Sequence, residues 1–460
     1  MKDRVPPQRG FTIVTRIVPG HTADLEDLLD AIGGDIRRNP HIPFVDLDRL
    51  HYSSMIVVED GTADPYLLFE GSIDGEVRGF LGDLVARAAP GLGRIYQHCA
   101  GYPASGTDDH AALVEYLVSH DIGPGAMFVA WPGRTVTTIR QEEQLRVRIG
   151  EFLDEAMATT DLGSQPPQEV RRRIQEFVRR EPSLEWAQHE LPRPFLVRYG
   201  AELAVFGSYP ILFGLYKLVR TAVSRKSSRT SRLLAKLALW ALGSAFGAFA
   251  AVLRYHEIQD DKKDARRKPD WQTAYAQWSQ ALGHVVERED FQLQNHLASV
   301  TFVKPSRFRL TLLKVVFAVV IVAVRLVANR GKLGGITSVH FARWVLTSND
   351  TSVVFLSNFD GSWESYLNDF IDLAAFGLNA VWANTDNQIG YPPAKFLILD
   401  GARDGDRLKA FARYSQVRSR VWYSAYPDLT VANIGNNIEI REKLFADLDD
   451  QDTETWLRRL

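Results

Sequence analysis

The sequence predicts an α+β chain in which one strand-and-helix module occurs twice, with an apolar helical hairpin inserted between the copies. Two observations carry this: the ends of the chain resemble each other at nearly fixed offsets, and two long charge-free runs lie near the middle. The 460 residues are about three times a common domain length of roughly 150, which leaves room for two full cores.

The repeat begins with Phe11–Gly20, which matches Leu297–Ser306. It continues with Leu50–Asp60 against Val339–Leu346, Tyr66–Phe69 against Val353–Leu356, and Ile73-Asp74-Gly75 against Phe359-Asp360-Gly361. Phe80–Asp83 then matches Tyr366–Asp369, and Gly101-Tyr102-Pro103 matches Gly390-Tyr391-Pro392. Ala130-Trp131-Pro132 precedes Arg146 and Leu153-Asp154 by the offsets at which Ala425-Tyr426-Pro427 precedes Arg441 and Leu448-Asp449. The boundaries follow: a first module over 1–157, an insertion over 158–294 and a second module over 295–460.

Within the first copy, apolar and β-branched runs predict strands near 11–18, 49–59, 65–71 and 93–99, with helices near 22–37 and 76–89. Strand, helix, strand, strand, helix, strand is a split βαβ, or ferredoxin-like, order. A further helix, strand and helix near 109–157 and near 404–447 make each unit larger than a minimal module of that kind. Asp74 and Asp360 stand where a strand hands over to a helix. An aspartate there can accept backbone N–H bonds at the helix start while the following glycine relaxes the turn.

Two such modules in one chain resemble the dimeric α/β-barrel superfamily, in which two ferredoxin-like sheets face each other and enclose a pocket. Gly71-Ser72-Ile73-Asp74-Gly75 has the GxxDG form of the dye-decolorizing peroxidases within that superfamily. The resemblance implies haem, with Asp74 on its distal side and a proximal histidine in the second module, for which His340 is the candidate metal ligand. Asp360 is the repeat's equivalent of Asp74, and Arg343 lies close enough in sequence to His340 to be a cofactor-binding candidate, although three positions along a strand turns it to the other face.

The duplication singles out His51 and His340, each opening a second strand and each followed by an aromatic residue. A neutral imidazole can ligate haem iron or exchange protons near neutral pH, so both are catalytic candidates together with Asp74 and Asp360. A strand-end histidine is also a common hydrogen-bonded structural group. His98 and His296 end and open strands and are weaker candidates, and Arg146 and Arg441 are expected in salt-bridged helix positions. The chain has no HExxH, no GxxxxGK[ST], no GxGxxG after a strand and no GxSxG.

The insertion speaks to location. It opens with a polar, charged helix around Pro167–Arg180. Leu203–Tyr216 and Leu237–Leu253 then contain no charged residue, while Arg220, Arg225, Lys226, Arg229, Arg232 and Lys236 lie between them. This is a hairpin over about 203–253 with a basic turn, and Leu237, Trp240, Phe246 and Phe249 are its candidate membrane contacts. Its 17-residue second arm gives about 26 Å of helix against a roughly 30 Å hydrocarbon core. Pro210 in the first arm favours a kinked, re-entrant or interfacial segment. Arg225, Lys226 and Arg229 can bind anionic headgroups, which would place the turn on the cytoplasmic side. A buried helical hairpin in a large protein would also be apolar. Val315–Val324 is a third apolar stretch, at the first-helix position of the second module, where the first module has an amphipathic helix.

The formal net charge of −2 gives no pull toward nucleic acid, and none is expected as a partner. One cysteine, Cys99, excludes an intramolecular disulfide and a cysteine metal cluster and suggests a reducing compartment. Met1–Gly10 carries charges and prolines where a signal peptide needs an apolar core. The expectation is a membrane-associated oxidoreductase on the cytoplasmic side of a membrane, peripheral or hairpin-anchored. It would be peroxidase-like and haem-dependent, acting on a lipid-like or apolar small molecule. The alternative is a non-catalytic, membrane-attached lipid-binding or scaffold protein that recruits a partner enzyme, and a homo-oligomer is compatible with either.

Overall fold

The computed structural model describes residues 6–59, 65–191, 195–224, 226–268, 270–279, 291–326, 331–347 and 349–460. The fold is mixed α+β with two antiparallel sheets. The first half supplies β1 (Gln8–Arg16), α1 (Thr22–Gly34), β2 (Leu50–Val58), β3 (Tyr66–Asp74) and α2 (Val77–Tyr96). After α3 (His110–Ser119) come β4 (Ala126–Val129) and α4 (Val136–Thr159). The second half runs β5 (Gln294–Val303), α9 (Arg307–Leu326), β6 (Val339–Leu346), β7 (Ser352–Asp360) and α10 (Trp363–Trp382). It continues through the short strands β8 (Thr385–Asp386), β9 (Ala394–Lys395) and β10 (Leu399–Asp400). Then come α11 (Gly405–Tyr414), β11 (Gln416–Val417), β12 (Ser419–Ser424), α12 (Val431–Lys443) and α13 (Asp450–Leu457).

Each half lends a strand to the other's sheet. The first sheet has the order β1-β3-β2-β12, and the second β11-β5-β7-β6-β4 with β8 also beside β5. Thus Trp422 in β12 lies opposite Ser54 in β2, and Phe128 in β4 lies opposite Ala342 in β6. Entry into β4 needs Gly125, whose φ is +61° and whose missing Cβ would sit 2.0 Å from the Trp344 carbonyl oxygen.

This exchange corrects one expectation. The residues near 93–99 form no strand: α2 runs on to Tyr96, and only Cys99 bridges to Ile17. Pro90 lies inside that helix, with the break in helical geometry at Ala88, and the apolar spacing continues through Leu92 and Ile95. The place beside β2 that a local strand did not fill goes to β12.

Strands β2 and β3 are buried along their whole length because both faces of the sheet are covered. Alternate residues Leu67 and Phe69 join Leu25, Leu29, Leu84 and Leu113 of the covering helices. Their neighbours Tyr66 and Leu68, with Ile56 and Val58, meet Ala298, Val300, Val345, Val354 and Leu356 of the second sheet. Each such aliphatic side chain contributes roughly 1.5–3 kcal/mol by leaving water. The sheets do not close into a barrel, and these side chains fill the space between them where the resemblance implied an enclosed pocket.

The insertion has two parts. The expected polar helix α5 (Pro167–Arg180) packs through Ile174 and Val178 on Leu145 of α4, Leu444 and Trp456. Beyond it, α6 (Phe195–Val223) and α7 (Arg229–Arg267) form a helical hairpin, followed by α8 (Trp271–Ser279). Pro210 sits inside α6. By length and composition, Glu202–Val223 and Arg229–Arg266 can each cross a membrane, and 0% and 6% of their apolar windows are buried. Phe206, Tyr209, Ile211, Trp240 and Phe246 point away from the protein. The helix α9 buries Leu313 and Phe317 but exposes Val315, Val319 and Val322, so the polar face it lacks is replaced by an open apolar one.

Candidate functional site

The second strand of each half carries a β-bulge at its histidine. Register passes from Leu50 opposite Ile73 to Tyr52 opposite Ser72, which leaves His51 as the extra residue. It passes from Val339 opposite Phe359 to Phe341 opposite Asn358, which leaves His340 in the same position. A bulge re-aims one side chain without shifting the rest of the strand. Both rings are turned toward the seam between the halves and are buried.

There the two histidines meet the two aspartates that the sequence paired with them. His51 Nε2 lies 3.0 Å from Asp74 Oδ1, and His340 Nε2 lies 2.7 Å from Asp360 Oδ1. The second carboxylate oxygens accept the N–H groups of Val136 at 2.9 Å and Val431 at 2.7 Å, the first residues of α4 and α12. A carboxylate at a helix N-terminus is stabilised by the unpaired N–H groups and the helix dipole. The sequence placed these aspartates at the start of the next helix. They serve instead a helix 62 and 71 positions further on, while Ser362 caps α10.

The exchanged strands complete the seam. Ala425 N–H donates to the His51 carbonyl and Ala130 N–H to the His340 carbonyl, both at 2.9 Å. The Tyr426 hydroxyl is 2.8 Å from His51 Nδ1. Burial pushes the phenols of Tyr52 and Tyr426 far above their ordinary range, so both stay protonated. The two ring nitrogens of His51 thus lie between the Tyr426 hydroxyl and the Asp74 carboxylate. Tyr52 donates to Gln294 Oε1 at 3.2 Å, and Gln294 Nε2 donates to the carbonyl oxygens of Tyr426 and Leu429. In the first half Gln8 does the same for the loop before α4, donating to Arg134 O and accepting from Gly133 N–H.

A His–Asp pair can move a proton, but in this seam the ring nitrogens of His51 already have partners on both sides. The His340 ring lies tilted against Tyr52 at 5.5 Å and against Tyr426 at 6.2 Å, with its Nε2 held by Asp360. His340, the expected haem ligand, is buried with its Nε2 committed to Asp360. Arg343 is also committed elsewhere. It lies between the sheets with Nη2 3.1 Å from Glu70 Oε2, and it donates to Phe11 O and Ser72 Oγ. Burial pushes the Glu70 carboxyl up, opposed by the Arg343 charge, and pushes Arg343 down. His296 stands 3.7 Å from Glu70, and burial, with the Arg343 charge, lowers its imidazole to about 3.

The remaining candidates scatter. The His98 ring meets His21 on the surface, Arg146 pairs with Glu143, and Arg441 pairs with buried Glu142. Among the described residues no group of three or more His, Cys, Asp or Glu side chains is placed to hold a metal ion. An apolar cavity of about 40 Å³ lies in the second half, lined by Leu297, Phe355, Tyr366, Phe370, Trp382 and Phe411. A more open cleft of about 440 Å³, lined by Asp261, Asp264, Lys268, Trp271, Tyr391 and Arg407, lies at the foot of α7. Neither includes His51 or His340.

On the hairpin, Leu237, Trp240, Phe246 and Phe249 are all exposed, as are Lys226 and Arg229, while Arg225 lies outside the described residues. Sequence reasoning missed Tyr426, Gln8, Gln294 and Glu70. The repeat held a signal for two of them, since Gln8 and Gln294 stand three residues before Phe11 and Leu297. A scan against protein-family models gives no match for the chain, and neither curated proteins nor solved structures give one.

Proposed function

We propose that this chain is a non-catalytic, hairpin-anchored membrane protein whose body consists of two tandem ferredoxin-like modules paired within the chain and held against one face of a bilayer. The observation that carries the reading is the pair α6 and α7, whose apolar side chains stand clear of the body along their apolar runs. Leaving that much apolar surface in water is costly, at about 25 cal/mol per Å², and a bilayer removes the cost. The uncharged arms span about 21 and 26 Å, close to a roughly 30 Å hydrocarbon core. Long Lys226 and Arg229 side chains reach from the tip to lipid phosphates.

The body supports a scaffold role over an enzymatic one. Its duplicated histidines are buried at the seam between the halves, and neither the apolar cavity of about 40 Å³ nor the cleft of about 440 Å³ at the foot of α7 includes them. The repeat of bulge, His–Asp contact and helix N-terminus in both halves supports the tandem-module reading. The test is extraction of host membranes holding the full chain with alkaline carbonate, which strips peripheral proteins. The chain is expected to stay in the pellet and to leave it only with detergent. A chain recovered in the supernatant, monodisperse without detergent, would overturn the reading.

A further inference from the structure

The turn between β9 and β10 has an unusual composition for its backbone. It is closed by a bond from Ile398 N–H to the Lys395 carbonyl at 3.2 Å, and its two central residues, Phe396 and Leu397, have φ of +55° and +60°. Two consecutive left-handed residues are the mark of a type I′ turn, which ordinarily takes Asn and Gly. Here the positions hold bulky apolar residues, which adopt that conformation only when the surroundings impose it. Phe396 is 40% exposed, Ile398 43% and Leu399 47%.

What imposes it is α7. The buried carboxylate of Glu257 accepts both central N–H groups, from Phe396 and Leu397, each at 3.0 Å. Arg254 pairs with Glu257 at 2.9 Å and donates to the Ala394 carbonyl at 3.4 Å. These two residues are the first charges after the apolar run of α7 ends at Leu253. Glu257 stands about 6 Å along the helix from Leu253, within the polar interfacial layer that flanks a hydrocarbon core. The turn is therefore pinned at the height where a bilayer-embedded hairpin meets the headgroups.

We infer that the Phe396–Leu399 turn is a second bilayer contact, carried by the body. It dips its apolar tip into the interface beside the hairpin and so fixes the tilt of the body on the membrane. The inference rests on the hairpin reading above and adds an occupant, lipid, for a turn that is otherwise strained and exposed. Glu257 is its positioning residue: it holds the turn in shape and at depth without itself touching lipid.

The experiment uses the full chain in phosphatidylcholine–phosphatidylglycerol vesicles, with a nitrobenzoxadiazole probe on single introduced cysteines. Native Cys99 is buried, with its thiol pushed up to about 11, and does not compete for label. Probes go at F396C on the turn, W240C on the hairpin and Q451C at an exposed position of α13, and lipids carry a nitroxide near the headgroup. Quenching of the first two probes at least threefold beyond the third is expected. In E257A the turn probe should lose its quenching while the hairpin probe keeps it. A quenched hairpin probe with an unquenched turn probe overturns this inference and leaves the anchor standing. If neither is quenched, the anchor reading itself fails.

Discussion

His51 Nδ1 lies 2.8 Å from the hydroxyl of Tyr426, a residue 375 positions away. The bond joins a bulge in the first half to the end of the strand that the second half lends it, directly beside the backbone bond from Ala425 to His51. A contact of such sequence separation adds stability only after both halves have folded and exchanged strands.

Removing the Tyr426 hydroxyl should therefore loosen the seam. Tyr426→Phe leaves His51 Nδ1 buried without its partner, a loss of about 1–3 kcal/mol. His51→Ala also opens a cavity and unpairs Asp74, and should cost more. Denaturant unfolding of the detergent-solubilised chain measures both. Variants as stable as the parent would show that the seam bonds contribute nothing.

Between the sheets, Glu70 and Arg343 should behave as a coupled buried pair. Either Glu70→Gln or Arg343→Met alone strands a buried group and is expected to destabilise by roughly 3–5 kcal/mol. Glu70→Leu with Arg343→Met together should recover most of that loss, because an apolar pair of similar volume suits the surrounding Ile56, Leu68 and Val345. A double-mutant cycle gives the answer, and strictly additive losses would contradict the coupling.

His296 makes stability depend on pH. Its folded pKa is lowered to about 3 from an ordinary 6.5, so the folded state keeps it neutral while the unfolded chain takes up a proton below 6.5. Stability from this group is complete above pH 6.5 and falls as pH drops toward 3, by up to about 1.4 kcal/mol per unit. The raised Glu70 acts in the opposite sense above its ordinary value. Comparing the parent with His296→Gln isolates the histidine: the variant's unfolding free energy should fall less steeply between pH 6 and 4. Equal slopes would refute the assignment.

Strand exchange has its own test at Gly125. In Gly125→Ala the new methyl meets the Trp344 carbonyl oxygen and demands a positive φ, so β4 should detach from β6 at a cost of a few kcal/mol, on the order of 1–3 from backbone strain alone. Hydrogen exchange at Trp344 and Ala342, which face β4, should rise. Unchanged protection there would mean that β4 adds little to the second sheet.

Much of this architecture was legible in the sequence. The repeat located β1, β2 and β3 beside β5, β6 and β7, and it paired His51 with His340 and Asp74 with Asp360. The charge-free runs located both arms of the hairpin. What the sequence hid is long-range. Ala126–Val129 is four residues long and pairs with a strand about 215 positions away, so nothing local announces its partner or the resulting vacancy beside β2. The bulges are equally hidden, because one inserted residue changes where an imidazole points without changing the strand's composition. That single step aims His340 at Asp360 of its own half and His51 at Asp74 and at Tyr426 of the other half. Arg343 stands three positions from His340 along the strand, and its partner, Glu70, comes from the other sheet.

The most direct test of the membrane anchor is flotation of the purified full chain with anionic vesicles on a density gradient, run beside a W240D/F246D variant. Those two side chains are 73% and 74% exposed and touch little of the body, so the variant should keep its fold and its unfolding midpoint. The account predicts that the parent floats with the vesicles and that at least nine-tenths of the folded variant stays at the bottom. A parent that sediments free of lipid, or a variant that floats equally well, would contradict it.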